Sequence, residues 1–213
     1  MSNIPKSRGE NAYDALIEAL REGVFLPGDR LREEAVARKL QLSRTPVREA
    51  LRRLESDGIV EHRARIGATI KVLSSSEIVE LYEMRMVLER TAAEMAARHG
   101  NVTEFEALDA VNSEIKKNRE IPNVCVSLNQ DFHRSLYRVG RNRFLIEAAR
   151  ALNNSLLLLG PTTYTDTDRI DTVVSQHQDI IVALNERNES AAGMAAESHL
   201  RTSLLYRLKR GDP

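Results

Sequence analysis

One short stretch, Ser43–Glu55, constrains the fold of this chain more than any other part of the sequence. Read as a helix, it places Val47, Ala50, Leu51 and Leu54 on a single face, at the spacing of an apolar stripe. The stretch therefore predicts a helix that packs one face against a core.

The opposite side of the same helix is basic. Arg44, Arg48 and Arg52 follow one another at intervals of four, so their guanidinium groups share one side. Six Lys or Arg and a single acid lie between Arg38 and Arg53, which indicates an anionic partner. A solvated charged helix face would give the same pattern. The segments on either side of the helix therefore have to distinguish a solvated face from an anion-binding surface.

A proline marks the start of this helix. Pro46 lacks the amide hydrogen that a first turn leaves unpaired, and it disfavours helical geometry at the residue before it. We therefore expect Thr45 or Ser43 to cap the helix.

The segments on either side complete a known arrangement. A short helix is predicted at Glu33–Leu40, and only residues 41–43 separate it from the basic helix. After Asp57 and Gly58, residues 59–62 and 68–72 alternate like paired strands around a basic tip. Helix, turn, helix and basic hairpin together predict a winged helix-turn-helix.

The remainder of the chain predicts a second, all-helical domain. Ser74 and Glu77 form a capping box, Thr103 and Glu106 fit a second one, and no strand pattern follows residue 73. The fold class is mainly α: a winged helix-turn-helix domain at 1–73, then an all-helical antiparallel bundle at 74–213.

Charge and composition bound the partners and the location. Residues 1–73 carry 14 basic and 11 acidic side chains although the whole chain is neutral, which favours local contact with DNA. The first ten residues lack the apolar core of a signal peptide, Cys125 is a lone cysteine, and the longest apolar run, Leu156–Leu159, cannot cross a bilayer. We expect a cytoplasmic protein with no membrane contact.

Three of the five histidines fall inside different predicted helices of the second domain. These are His133, His177 and His199, and Asn129 precedes His133 by four residues, so both project from one helix face. Imidazoles and an amide oxygen that converge could hold one metal ion. Each histidine alone could equally be a structural side chain.

About sixty residues of the first domain resemble the N-terminal DNA-binding domain of GntR-family bacterial transcription regulators. The resemblance rests on Leu26–Leu31, Ser43–Leu54 and Asp57–Val60, and it implies a recognition helix in the major groove and a wing tip near the minor groove. Two departures are Glu34, where relatives commonly have arginine, and Gln41, where they commonly have glycine. Carried over by position and by charge, the residues expected at DNA are Ser43, Arg44, Thr45, Arg48, Arg52, Arg63, Arg65 and Gly67.

The second domain resembles the FCD effector domain of the FadR subfamily of GntR regulators. That resemblance implies a divalent metal (zinc, nickel or manganese) held by Asn129, His133, His177 and His199, and a small carboxylate effector. Arg85, with Tyr82 and Glu89, is expected to contact the effector. The resemblance also implies a homodimer on an inverted-repeat operator, and we expect a repressor rather than an activator.

Two other functions fit parts of the same pattern. A metalloenzyme could use the three histidines, although no glutamate stands beside them as in H-E-x-x-H and the basic helix would have no purpose. A regulator with a purely structural metal and no small-molecule effector is the other alternative. Arg85 could also form an intrahelical pair with Glu89 instead of binding an effector.

Overall fold

The computed structural model describes residues 7–160 and 163–209 and divides the chain into two compact units. The first unit ends at Leu73 and also takes in the segment that begins at Asn153. The second begins at Ser74, runs to Leu152 and resumes after that segment. Each unit has its own hydrophobic core.

The first unit is a winged helix-turn-helix, as the sequence predicted. Its elements are α1 (Arg8–Arg21), α2 (Glu33–Lys39), α3 (Arg44–Ser56), β1 (Val60–Arg63) and β2 (Gly67–Ile70). The predicted apolar face of α3 is buried, with Val47 and Leu54 fully enclosed. Helix α3 packs against α1, α2 and β1, so the core fixes its orientation and leaves its basic side outward.

The wing is an antiparallel hairpin that a third segment extends. Val60 pairs with Ile70 and Arg63 with Gly67. The turn after α1 adds a bridge at Arg30, and Leu31 donates its amide hydrogen to the carbonyl of Ala68 at 2.8 Å. This edge holds the hairpin to the helical part of the unit.

The start of α3 agrees with one of the two predicted cap positions. The helix begins at Arg44, so Thr45 lies inside the first turn and is not the cap. Ser43 occupies the cap position, but its side chain accepts no hydrogen bond there. Pro46 is the third helical residue, where an amide hydrogen has no partner within the helix, so the proline is accommodated without displacing Thr45.

All described elements of the second unit are helical, as predicted. Its helices are α4 (Ser75–His99), α5 (Val102–Lys117), α6 (Pro122–Val139), α7 (Arg143–Ser155), α8 (Thr167–Asn185) and α9 (Glu189–Lys209). Arg90 meets Glu197 and Arg98 meets Glu189, so α4 and α9 run antiparallel. None of the described helices has the length and apolar character needed to cross a membrane.

One of the two predicted capping boxes is confirmed. Ser74 and Glu77 cap α4 reciprocally. At α5 the box is formed by Asn101 and Glu104, so the predicted pair two residues later was wrong. Asparagine and threonine are both good N-caps, and each is followed by glutamate at the third position, so the sequence offered two starts that packing had to decide between.

The predicted second domain, 74–213, is interrupted in the structure. A short 3₁₀ helix at Leu156–Leu159 follows α7, and Leu158 is buried in the core of the first unit. A run of leucines must be buried somewhere, and the sequence does not say against which core.

Candidate functional site

The residues expected at DNA lie on the surface of the first unit. Gly67 is half-buried at the hairpin, with a φ of 98° that favours glycine. The predicted contacts that are exposed are Ser43, Arg44, Thr45, Arg48, Arg52, Arg63 and Arg65. The fold therefore leaves this set accessible on α3 and the wing.

A carboxylate from α2 fixes the orientation of Arg48. The Nε and Nη2 atoms of Arg48 donate to the two oxygens of Glu33 at 2.7 and 2.9 Å. The same hydrogen bonds, ahead of the other contributions, lower the pKa of Glu33, which stays ionised. A bidentate pair of this kind holds the planar guanidinium in one plane and direction.

Glu34, the departure from the family pattern, contacts the other leading arginine. Its carboxylate lies 3.0 Å from Nη1 of Arg44. Gln41, the second departure, has a φ of 55°, the left-handed region that glycine adopts without strain. The helix-turn-helix therefore keeps its turn geometry with a non-glycine residue.

The second unit brings together the three predicted histidines. Ring centroids of His133, His177 and His199 lie 4.7 to 5.3 Å apart, and one nitrogen from each ring falls within 4.8 Å of the others. All three side chains are buried. They come from α6, α8 and α9, so only the packing of three helices creates the cluster.

Two of the rings are oriented by amide oxygens. His177 Nδ1 lies 3.2 Å from Oδ1 of Asn112, and His199 Nδ1 lies 3.2 Å from Oε1 of Gln176. Both amides are fixed in turn, because Asn112 donates to the carbonyl of Val174 and Gln176 donates to a threonine hydroxyl. Each Nδ1 therefore carries the hydrogen, and each Nε2 keeps its lone pair for a ligand.

A carboxylate orients the third ring. Glu89, 1% exposed on α4, places Oε1 in contact with Nδ1 of His133. The intrahelical pair of Glu89 with Arg85 does not form among the described residues; Arg85 instead stacks over the Tyr82 ring at 4.9 Å. The expected role of Glu89 in effector binding stays a prediction, and its observed contact is with a histidine.

The donor set fits a divalent metal ion. Nε2 of His133, Nε2 of His177 and Oδ1 of Asn129 are buried and have no hydrogen-bond partner among the described residues. Burial, ahead of the neighbouring charges, lowers the pKa of His177 and His199 well below 6.5, so both rings are neutral. Neutral imidazoles with free lone pairs are the form that binds a metal.

Sequence reasoning did not find the side chains that support this cluster. Asn112 and Gln176 orient histidines, and Arg169 lies buried on α8 two turns before His177. Gln176 directly precedes His177 in the sequence but contacts His199. Proximity in the sequence therefore did not predict which histidine Gln176 orients. In an amphipathic helix, the sequence pattern does not distinguish a buried arginine from an exposed one.

Comparison with known protein families decides the identity. The model for bacterial regulatory proteins of the gntR family matches residues 8–70, and the FCD domain model matches residues 80–202. The chain belongs to the GntR family. Its first unit is the GntR DNA-binding domain, and its second is an FCD domain.

Curated relatives of this GntR-family chain are transcription regulators. The uncharacterized HTH-type regulator YdhC of Bacillus subtilis is 30% identical, over 88% of this chain and 85% of that protein. The Nta operon transcriptional regulator of Aminobacter aminovorans is 28% identical over 83% of each. The probable D-xylose utilization operon repressor of Paenarthrobacter nicotinovorans is 28% identical, over 90% of this chain and 84% of that protein.

Solved structures share the fold of this regulator. McbR/YncC of E. coli superposes with a TM-score of 0.83 at 18% identity, covering 97% of this chain and 99% of that one. A putative GntR regulator from Rhodococcus sp. RHA1 gives a TM-score of 0.79 at 25% identity, covering 97% and 100%. The predicted fold class is thereby confirmed.

Proposed function

We propose that this GntR-family transcription regulator is a repressor whose operator binding is controlled by a small carboxylate held, with a divalent metal, in the FCD domain. The observation that carries the proposal is the buried histidine cluster, in which each Nδ1 faces an oxygen and the Nε2 atoms are left for a ligand. Zinc, nickel and manganese all suit imidazole and amide donors.

The residues of the site have distinct roles in this proposal. His133, His177, His199 and Asn129 would hold the metal, which when bound supplies a Lewis-acidic centre for a carboxylate oxygen. Arg85 is half-buried on the neighbouring helix and would pair with the same carboxylate. The Tyr82 ring stacks against the Arg85 guanidinium and would hold it in place.

A sensor fits the geometry better than an enzyme. A hydrolytic metalloenzyme needs a carboxylate free to act on metal-bound water. Glu89 is the buried carboxylate beside this cluster, and it is engaged on Nδ1 of His133. We therefore infer that the site binds its ligand without transforming it.

Effector binding would control DNA binding through a difference in the effector's affinity for two arrangements of the protein. An effector that prefers the arrangement unable to bind the operator shifts the population away from DNA, by no more than its difference in affinity. GntR-family regulators bind DNA and typically act as dimers. We propose a homodimer on an inverted repeat, because two identical reading heads related by a two-fold axis require one.

The test begins with metal analysis and a thermal-shift screen of small carboxylates, with and without chelator. We expect about one metal per chain, and an acid whose stabilising effect the chelator abolishes. His133→Ala should lose the metal and keep a helical circular dichroism spectrum. His99→Ala, which removes an exposed histidine outside the cluster, is the matched control and should keep the metal.

The identified acid is then added to the protein bound to its operator in a fluorescence anisotropy assay. Release of DNA by the acid, but not from the His133→Ala protein, supports the proposal. Unchanged operator affinity at saturating acid would refute effector control. Full metal content in His133→Ala would remove that residue from the site.

A further inference from the structure

Arg169 is a buried cation that has no counter-ion among the described residues. It lies on α8 and is 1% exposed. Its Nη2 donates to the hydroxyl of Ser203 at 2.6 Å, and its guanidinium stacks over the Tyr206 ring at 4.7 Å. Among the described residues, Nε and Nη1 have no hydrogen-bond partner, and no carboxylate lies within ion-pair distance.

This arrangement differs from that of other arginines in the same unit. Arg90 and Arg98 on α4 are exposed, and each meets a glutamate. Arg169 is more deeply buried than either, yet tyrosines rather than carboxylates surround it. Burial lowers the pKa of Arg169, but guanidinium remains protonated at any pH a cell reaches.

A buried charge with unsatisfied donors is costly, and it persists in natural proteins where a ligand supplies the missing charge. The donors of a guanidinium match the oxygens of a carboxylate or a phosphate. Nε and Nη1 of Arg169 lie on different sides of the guanidinium, and each is a buried donor with no hydrogen-bond partner among the described residues. Such donors indicate an anionic group.

Arg169 belongs to the same region as the histidine cluster. Its partner Ser203 follows His199 by four residues on α9, one helical turn or about 6 Å along the axis. Arg169 itself precedes His177 by eight residues on α8, two helical turns or about 12 Å along the axis.

We propose that Arg169 is a second anion-binding group of the effector site, so that the effector is a dianion with one carboxylate at the histidine cluster and a second carboxylate or phosphate at Arg169. The inference rests on the proposed function and narrows its ligand class. Monocarboxylates would supply no anionic group to the Arg169 guanidinium.

The test measures binding of matched acids to the full-length, metal-loaded protein by calorimetry and thermal shift. Straight-chain diacids from malonate to adipate are compared with monoacids of equal carbon number. We expect diacids to bind at least tenfold more tightly to the wild type, with an optimum length that reports the spacing of the two subsites. Phosphoglycolate against malonate then tells a phosphate from a second carboxylate.

Two variants separate ligand binding from folding. Arg169→Met should erase the preference for diacids, and its ligand-free melting temperature should equal or exceed that of the wild type, because the substitution removes an uncompensated charge. Arg169→Lys should retain part of the preference. If the methionine variant does not fold, Arg169→Gln replaces it in the same comparison.

Arg187→Met is the matched control. Arg187 also stacks over an aromatic ring, at 4.9 Å from Phe105, but its Nη1 donates to the carbonyls of Ala97 and Gly100. Loss of those bonds should lower the melting temperature and leave the diacid preference intact. The contrast distinguishes an arginine that stabilises the fold from one that binds a ligand.

The outcomes also separate this inference from the proposed function. Equal binding of monoacids and diacids by the wild type, or a diacid preference that survives in Arg169→Met, overturns the role of Arg169 while effector binding stands. If no acid binds the wild type, the effector function fails and this inference fails with it.

Discussion

Substitution of Glu33 by glutamine tests whether the α2 carboxylate prepares Arg48 to read DNA. Glu33 contacts Arg48 through two hydrogen bonds and also lies 3.8 Å from Arg44. A glutamine side chain has one oxygen and one amide group, so it cannot accept both bonds. The Arg48 guanidinium then loses its fixed direction.

The structure separates two effects of this substitution. The pair lies on the surface, where the Arg48 side chain is 52% exposed and the Glu33 side chain 29%, so the substitution should change folding stability little. On random DNA, the freed guanidinium should contact roughly one additional phosphate. The slope of log affinity against log salt concentration should therefore become more negative by about one. On the operator, a misdirected base contact should cost up to about 1–3 kcal/mol, roughly a 5- to 150-fold loss.

The assay is fluorescence anisotropy on two labelled duplexes over a range of salt concentrations. One duplex carries an operator selected with the wild-type protein, and the other has a random sequence. Glu34→Gln is the control, because it removes the same charge one residue away, at a side chain that pairs with Arg44 at 3.0 Å instead of with Arg48. We expect both variants to bind random DNA more tightly and only Glu33→Gln to lose discrimination.

Two results would refute this reasoning. If both variants lose discrimination equally, the effect comes from charge and not from the direction of Arg48. If Glu33→Gln strengthens binding to operator and random DNA alike, Arg48 contacts phosphate rather than a base.

Three further predictions follow from individual contacts. Glu89→Gln should weaken metal binding about 10- to 100-fold in chelator competition, because it loosens the orientation of His133, and an unchanged affinity would contradict that role. Burial raises the pKa of Tyr13, and a hydrogen bond from its hydroxyl to Asp57 raises it further, from 10 to about 12. The stabilisation that the protonated Tyr13 contributes is therefore complete below pH 10 and is lost as the pH rises towards 12. Asp57→Asn should therefore move the tyrosinate absorbance step to lower pH, and an unshifted step would be evidence against the hydrogen bond. Gly100→Ala would place a Cβ 2.5 Å from both the Phe105 ring and Cγ1 of Val139, and 2.7 Å from the Ala96 carbonyl oxygen. It should destabilise the fold by about 1–3 kcal/mol in urea unfolding. An unchanged midpoint would mean that these neighbours can move aside.

The sequence predicted the helices and the wing because their signals are local. The apolar stripe of α3 and the capping box of α4 each depend on residues within two turns of one another. Errors arose where two local solutions were equally good, as at Asn101 and Thr103, and where Pro46 was compatible with more than one helix start. In those places long-range packing selects among starts of similar local energy.

The sequence by itself determined the two-part organisation, the basic recognition helix and the three candidate metal-binding histidines. Helical periodicity and motif spacing depend on residues close together in the sequence, so both can be recognised without a structure. Only the tertiary structure decided which groups face those side chains. It placed Glu33 against Arg48 and Glu89 against His133. It also placed Arg169 on the helix that carries His177, with no carboxylate of the described part of the chain within ion-pair distance. Such contacts join helices far apart in sequence, and the packing of each unit alone sets their distances, burial and charge.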